Sequence, residues 1–422
     1  MKSLISDIKS RMIIDSRGNP TVEAEVITNS GATGRSAVPS GASTGTLEAY
    51  EIRDGGSEYH GRGVEKAIAN INELIKPELI GLDSSNQELI DAKLIEIDGT
   101  KNKKRLGANS ILAVSLANLR AFSSFASKDL FEIIPHVYGN PSLPIPLMNI
   151  LNGGAHADNN IDIQEFMIIP HGFDSYADSL RAGIEIYHQL KEELKNNNMS
   201  TNVGDEGGFA PNLDSSESAI EVILKSIDLS GYKPGEQVSL ALDVASTEFY
   251  NNKKYCIEGR ELSDDEMVGF LMGLVEKYPI VSIEDGMAED DWNGWKKLTE
   301  ALGTKTQLVG DDLFVTNESI LSKGISSKCA NSILIKPNQI GTFSETIGAL
   351  KVAKENNYSS IISHRSGETE DTFISHLAVG VNCGQIKTGA PARAERTSKY
   401  NELLRIGEKL GQEKFNTEIW KK

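Results

Sequence analysis

The chain of 422 residues is long enough to bury two cores, and 39% hydrophobic with 24% charged content is ordinary for a soluble globular protein. A formal net charge of -17 argues against broad binding to nucleic acid or anionic membrane, but leaves room for a locally cationic site that takes a small anion. Cys256, Cys329 and Cys383 are widely spaced without a CxxC, no apolar stretch reaches transmembrane length, and MKSLISDIKSR lacks a secretory core, so a reducing, cytoplasmic setting is expected.

Residues 9–14 and 21–28 are strand-like, joined by turn chemistry at Ser16-Arg17-Gly18-Asn19-Pro20. Residues 33–38 read as a third strand, which predicts an antiparallel meander. The stretch 39–45, PSGASTG, is then dense in Gly, Ser and Thr. It reads as a mobile lid whose Ser43 can offer a hydroxyl oxygen to a metal or a phosphate. Residues 64–75 place Val64, Ile68, Ile71 and Ile75 on one helical face, and 107–126 is a second, largely apolar helix. Strands followed by helices predict an α+β domain over 1–139, and four prolines between 135 and 146 mark its boundary with a second domain over 140–422.

The second domain opens with LMNILN at 147–152. His156 and Asp158 follow in GGAHADNN, and Gln164 and Glu165 in IDIQEFMII. A helix is expected over 175–194, and NVGDEGGFAP at 202–211 then holds Asp205 and Glu206 between glycines. Capping boxes at Asp214/Glu217, Ser263/Glu266 and Thr342/Glu345 predict three helix starts. Between helices lie short apolar runs that end in polar residues. VSLALDV ends in Asp243, PIVSIEDG in Glu284 and Asp285, and QLVGDD in Asp311 and Asp312. SILIKPN ends in Lys336, YSSIISHRS in His364, Arg365 and Ser366, and QIKTG in Lys387. From Asp243 the steps are about 41, 27, 25, 28 and 23 residues. That is the length of one strand, one helix and two loops in a (β/α)8 barrel, whose active face lies at the strand C-termini.

Three carboxylates at successive strand ends, Asp243, Glu284 and Asp311, suit a hard, oxygen-seeking cation such as Mg2+ and not zinc. Lys336 and Lys387 form the cationic opposite. A lysine acts as a base only if its pKa is lowered, and a nearby cation and a second lysine would do that. Such a site fits proton abstraction next to a carboxylate, with Lys387 and Arg365 holding an anionic substrate. Glu206, by loop position, is the acid that would expel a β-hydroxyl as water.

Taken together, DSRGNPTVE, VPSGASTG, LGANSILAVSLA, NGGAHADNNIDIQEFM, NVGDEGGFAPN, ALDVASTEFY, YPIVSIEDG, QLVGDDLFVTN, ILIKPNQIGT, SHRSGETEDT and GQIKTGAPARAER resemble the enolase family, of bacterial type, nearly end to end. A lysine base working with Mg2+ is the arrangement already described for that superfamily. The resemblance implies a hydro-lyase of glycolysis and gluconeogenesis, converting 2-phospho-D-glycerate reversibly to phosphoenolpyruvate. It implies a barrel opening ββαα before (βα)6. By the same resemblance, Asp243, Glu284 and Asp311 bind one Mg2+, and Ser43 a second that arrives with substrate. Lys336 takes the C2 proton, and Glu206 is the general acid, with Glu165 beside it. Arg365 and Ser366 hold the phosphate and Lys387 the carboxylate, while His156, Gln164 and His364 line the pocket. A homodimer or higher oligomer is implied, with Arg11 meeting Glu395 and Glu23 meeting Arg405 across subunits. The chain departs from the family at 122–140, at Ala394 and at Gly407, none of them a ligand position. A related acid-sugar dehydratase is the alternative, disfavoured by SHRSGETED and SGASTG. A plasminogen-binding role through Lys421 and Lys422, on protein at the cell surface or secreted without a signal peptide, is the expectation from a different class.

Overall fold

The computed structural model describes residues 2–42, 44–411, 414, 415 and 418–420; Ser43, Lys421 and Lys422 lie outside the described residues. The N-terminal part is a three-stranded antiparallel sheet, β1 (Ile5–Ile14), β2 (Pro20–Thr28) and β3 (Thr33–Ala37), in that spatial order. The apolar helix Ala108–Ala126 lies across it. Gly34 permits the close approach, because a Cβ there would sit 2.1 Å from the Ala121 nitrogen.

The helix expected over 64–75 is not a single α-helix. An α-turn at Glu65–Ala69 passes into a π-helical stretch at Asn70–Ile75 and returns to α at Lys76–Leu79. Its apolar stripe is still buried through Ile71 and Ile75. A further helix, Gln87–Asp98, was not legible, because its buried face is Ile90, Asp91, Leu94 and Asp98, half of it polar.

The second part is a closed eight-stranded barrel. Its strands are β4 (Ile145–Asn152), β5 (Glu165–Pro170) and β6 (Val238–Asp243), then β10 (Ile280–Glu284), β11 (Gln307–Gly310), β12 (Ser332–Ile335), β13 (Ser359–Ser363) and β14 (Gln385–Lys387). A small antiparallel meander, β7 (Tyr250–Asn251), β8 (Lys254–Ile257) and β9 (Arg260–Leu262), is inserted after β6 and accounts for the long first step between strand ends. Strand β5 is antiparallel to both its neighbours, and helices Tyr176–Asn196 and Ser216–Leu229 follow it consecutively, so the opening is ββαα. The remaining pairs are parallel.

Of the three expected capping boxes, Ser263/Glu266 forms in full. Thr342 caps its helix through Glu345 N, while the Glu345 carboxylate turns to Lys103 of the N-terminal part. The Asp214 box does not form. Ser215 is the cap, accepting from Ser218 N, and Glu217 reaches Tyr278 instead (2.9 Å). The serine wins because it stands one residue nearer the first helical turn.

Buried polar contacts join the two parts. Asp91 accepts from Ser344 N (2.8 Å) and Ser344 Oγ (2.6 Å) at the N-terminus of the barrel helix Phe343–Glu355. Arg120 pairs with Asp371 (2.6 Å). The residues expected across a subunit interface have partners within the chain: Arg11 meets Glu23 and Glu25, Glu395 meets Arg393, and Arg405 meets Glu402.

Candidate active site

Register explains why one end of the barrel collects the chemistry. Asn152, Glu165, Asp243 and Glu284 are neighbours across β4, β5, β6 and β10. For three of these strands that is the C-terminal end. For β5, which runs the other way, it is the first residue, so Glu165 reaches the same rim. Asp311, Lys336, Arg365 and Lys387 continue the ring at the ends of β11 to β14.

The charges on this rim are paired. Lys387 Nζ lies 2.8 Å from Glu284 Oε2, 3.0 Å from Asp243 Oδ2 and 3.2 Å from Glu165 Oε2. Lys336 Nζ holds Asp311 Oδ2, and Gln339 Nε2 donates to Asp311 Oδ1 (2.9 Å). Gln164 Nε2 donates to Asp243 Oδ2 (3.3 Å). Arg365 pairs with both oxygens of Glu48 (3.0 and 3.1 Å), and Glu48 also accepts from Gly45 N in the 39–45 loop (3.1 Å). Ser366 Oγ accepts from Ala42 N (2.7 Å), so this loop lies directly on the site.

The acid side is built from two loops. Glu206 sits in 202–211, where Asn149 Nδ2 donates to its Oε2 (3.0 Å) and His364 Nε2 lies 3.2 Å from the same oxygen. His156, in the β4–β5 connection, has Nδ1 3.5 Å from Glu165 Oε1 and 3.8 Å from Glu206 Oε1. The loops are tied together: Asp205 N donates to His156 O (3.3 Å), and Asn159 Nδ2 spans Asn152 O (2.9 Å) and Pro211 O (3.0 Å).

Burial and pairing set the protonation states. Burial, reinforced by Glu206, pushes Glu165 well above the ordinary carboxylate range. Burial also opposes charge on Glu206, but His364, His156 and Arg396 more than offset it and hold Glu206 well below that range. Burial drives His364 down to about 3, so it faces Glu206 as a neutral imidazole. For Lys336, burial and Lys387 act downward, but Asp311 outweighs them and holds the ammonium above the ordinary lysine range.

The donor set fits a hard cation. Asp243, Glu284 and Asp311 offer only oxygen, each bound to an ammonium group that stands where a cation's charge would act, and Glu284 Oε1 is buried without a hydrogen-bond partner. A second acidic group, Asp285, Asp311 and Asp312, brings oxygens within 4.8 Å of one another. The two oxygens of Asp285 accept Asp311 N and Asp312 N (2.9 Å each). Through these bonds it fixes the end of β11, from a left-handed backbone at φ +42°.

Glu48, Asn149, Asp285, Gln339 and Arg396 were missed as functional residues. Asn149 hides in an apolar strand and Arg396 in an ordinary helix; Asp285 alone carried a signal, as one of the strand-end acids. The polar cavity lined by His156, Glu165, Glu206, Asp311, Lys336 and Lys387 is small. A larger one, about 810 Å3, opens at the opposite mouth around His171, Gln307 and Trp420, but gathers no comparable set of acids and bases.

Two family models match the chain, "Enolase, N-terminal domain" over residues 5–134 and "Enolase, C-terminal TIM barrel domain" over 140–419. The chain is 56% identical to an enolase of Natranaerobius thermophilus over 410 residues, covering 97% of this chain and 96% of that protein.

Proposed function

Because the chain belongs to the enolase family, we propose that it dehydrates 2-phospho-D-glycerate reversibly to phosphoenolpyruvate, as a phosphopyruvate hydratase of glycolysis and gluconeogenesis. The observation that carries this reading is one buried cavity lined by a lysine and a glutamate, Lys336 and Glu206, with three carboxylates at successive strand ends between a pair of lysines.

Asp243, Glu284 and Asp311 would hold one Mg2+, and Ser43 with the substrate phosphate would hold a second that arrives with substrate. When bound, these ions supply positive charge to the substrate carboxylate as negative charge develops on it. The chain's residues do the rest. Arg365 and Ser366 take the phosphate and Lys387 the carboxylate, while His156, Gln164 and His364 wall the pocket. Lys336 accepts the C2 proton, and the C–H electron pair moves onto the carboxylate. Lys336 is competent only once its ammonium, paired with Asp311, has given up a proton. The electrons then return to form the C2–C3 double bond, the C3–O bond breaks, and Glu206 protonates the departing hydroxyl. Glu165, the acid of the pair that retains a proton at rest, stands as the proton's source for Glu206. The functional unit is a homodimer or larger and works in the cytoplasm.

Ultraviolet absorbance of the enol double bond tests this. With 2-phosphoglycerate and Mg2+ it rises, and with EDTA it does not. A folded, Mg2+-loaded protein that produced no rise would refute the assignment.

A further inference from the structure

Arg396 lies in the C-terminal helix Ala394–Leu410, is fully buried and reaches the site from behind. Its Nη1 lies 2.6 Å from His364 Nδ1 and donates to Arg365 O (2.5 Å). Its Nη2 donates to Ser366 O (2.6 Å) and Asp205 O (3.2 Å). Gly389 makes the convergence possible: a Cβ there would stand 2.9 Å from Arg396 Cδ, 2.9 Å from Glu206 O and 3.1 Å from His364 Cε1.

A guanidinium has five N–H donors and no acceptor, and it stays charged in proteins. The His364 nitrogen that faces it at hydrogen-bond distance therefore carries no proton. That leaves the imidazole one proton, on Nε2, and excludes both the other tautomer and the imidazolium. His364 Nε2 lies 3.2 Å from Glu206 Oε2, the oxygen that already accepts from Asn149 Nδ2. Asn149 Nδ2 donates to Oε2 and the His364 Nε2–H faces that same oxygen, which leaves Oε1, on the His156 side, as the oxygen that can carry an acidic proton. From this chain of contacts we infer that Arg396 is a positioning residue: by fixing His364 as its Nε2–H tautomer it directs the proton of Glu206 to Oε1. The tautomer follows from geometry alone; its consequence for turnover rests on the proposed acid role of Glu206.

Two-bond 1H–15N correlation on 15N-histidine-labelled wild-type protein reads the tautomer directly, with His364→Gln identifying its signal among the seven histidines. The expected result is a neutral Nε2–H ring across neutral pH. An Nδ1–H ring, or an imidazolium at neutral pH, overturns the inference without any variant of Arg396 having to fold. Function is read in Arg396→Lys, which keeps the charge and loses the planar fork. Water loss slows about 10–100-fold, the usual cost of removing an orienting partner, while exchange of the C2 proton and KM for substrate change little. Equal loss of exchange and water loss in Arg396→Lys overturns the positioning role. Undiminished water loss in Glu206→Gln, with the Nε2–H tautomer present, instead removes the proposed acid and leaves the tautomer standing.

Discussion

Lys387→Met tests the idea that the site's lysines stand in for cations. The Lys387 ammonium is buried against Glu284, Asp243 and Glu165 at 2.8–3.2 Å. Methionine keeps the volume and removes the charge. Breaking a buried pair by deleting one partner costs about 3–5 kcal/mol, because the remaining charges are left uncompensated. Unfolding entropy of about 2.1 cal/mol/K per residue gives about 0.9 kcal/mol/K for this chain, so the melting temperature in EDTA should fall by about 3–6 °C. The penalty shrinks at lower pH, where Glu284, already pushed upward by burial, takes up a proton. Mg2+ then supplies the missing charge. At 100 times its dissociation constant it returns about 2.7 kcal/mol, and it binds the variant more tightly than wild type because no ammonium competes for Asp243 and Glu284. Scanning calorimetry in EDTA and across a Mg2+ titration, with titration calorimetry for affinity, measures all three. Turnover stays low throughout. A variant as stable as wild type in EDTA, or one that Mg2+ stabilises no more than wild type, would refute the reasoning.

Other outcomes follow from single contacts. Lys336→Ala abolishes turnover and C2-proton exchange but leaves Mg2+ binding intact or tighter, since Asp311 loses its ammonium partner; weaker Mg2+ binding by calorimetry would count against the base assignment. Glu48→Gln weakens the hold on Arg365 and Gly45, so KM for substrate shifts several-fold with a smaller change in kcat, and steady-state kinetics showing the reverse would detach Glu48 from the phosphate side. Asp91 is pushed up to about 6 by burial, against an unfolded value near 3.8. Its folded form binds the extra proton between those values, so stability is fully present below the unfolded pKa and is lost as pH rises through about 6, by up to about 3 kcal/mol. Urea melts between pH 4.5 and 7 should show this slope in wild type and not in Asp91→Asn; an identical slope in both would assign it elsewhere.

The rim of the barrel was legible because each parallel strand is an apolar run that stops at a charge: Asp243, Glu284, Asp311, Lys336 and Lys387 all stand where spacing put them. The same rule misses Glu165 as a strand-end residue, since an antiparallel strand presents its first residue to that face. It also misses residues that act from behind. Asn149 is one polar side chain in a fully buried strand, and Arg396 belongs to a helix whose buried face mixes arginine and lysine with leucine. Their partners come from distant parts of the chain, and nothing local marks them. Lys336 stands at its strand end as expected, and Asp311, read as a metal ligand, is also its nearest counterion. The helix at Gln87–Asp98 and the β7–β9 meander were lost for a simpler reason: neither has an uninterrupted apolar period.

The two joined loops of the acid side have a consequence for how the protein can be altered. The basic half of the site, Lys336, Arg365 and Lys387, is mounted on three separate strand ends, so retuning it means changing the barrel. The acid half is one hairpin connection and one glycine-rich loop, bonded to each other through His156, Asp205 and Asn159. It behaves as a cassette. Segments 153–164 and 202–211 exchanged together between relatives should carry their own proton-donor geometry with them, whereas either one exchanged alone would sever the contacts that aim Glu206.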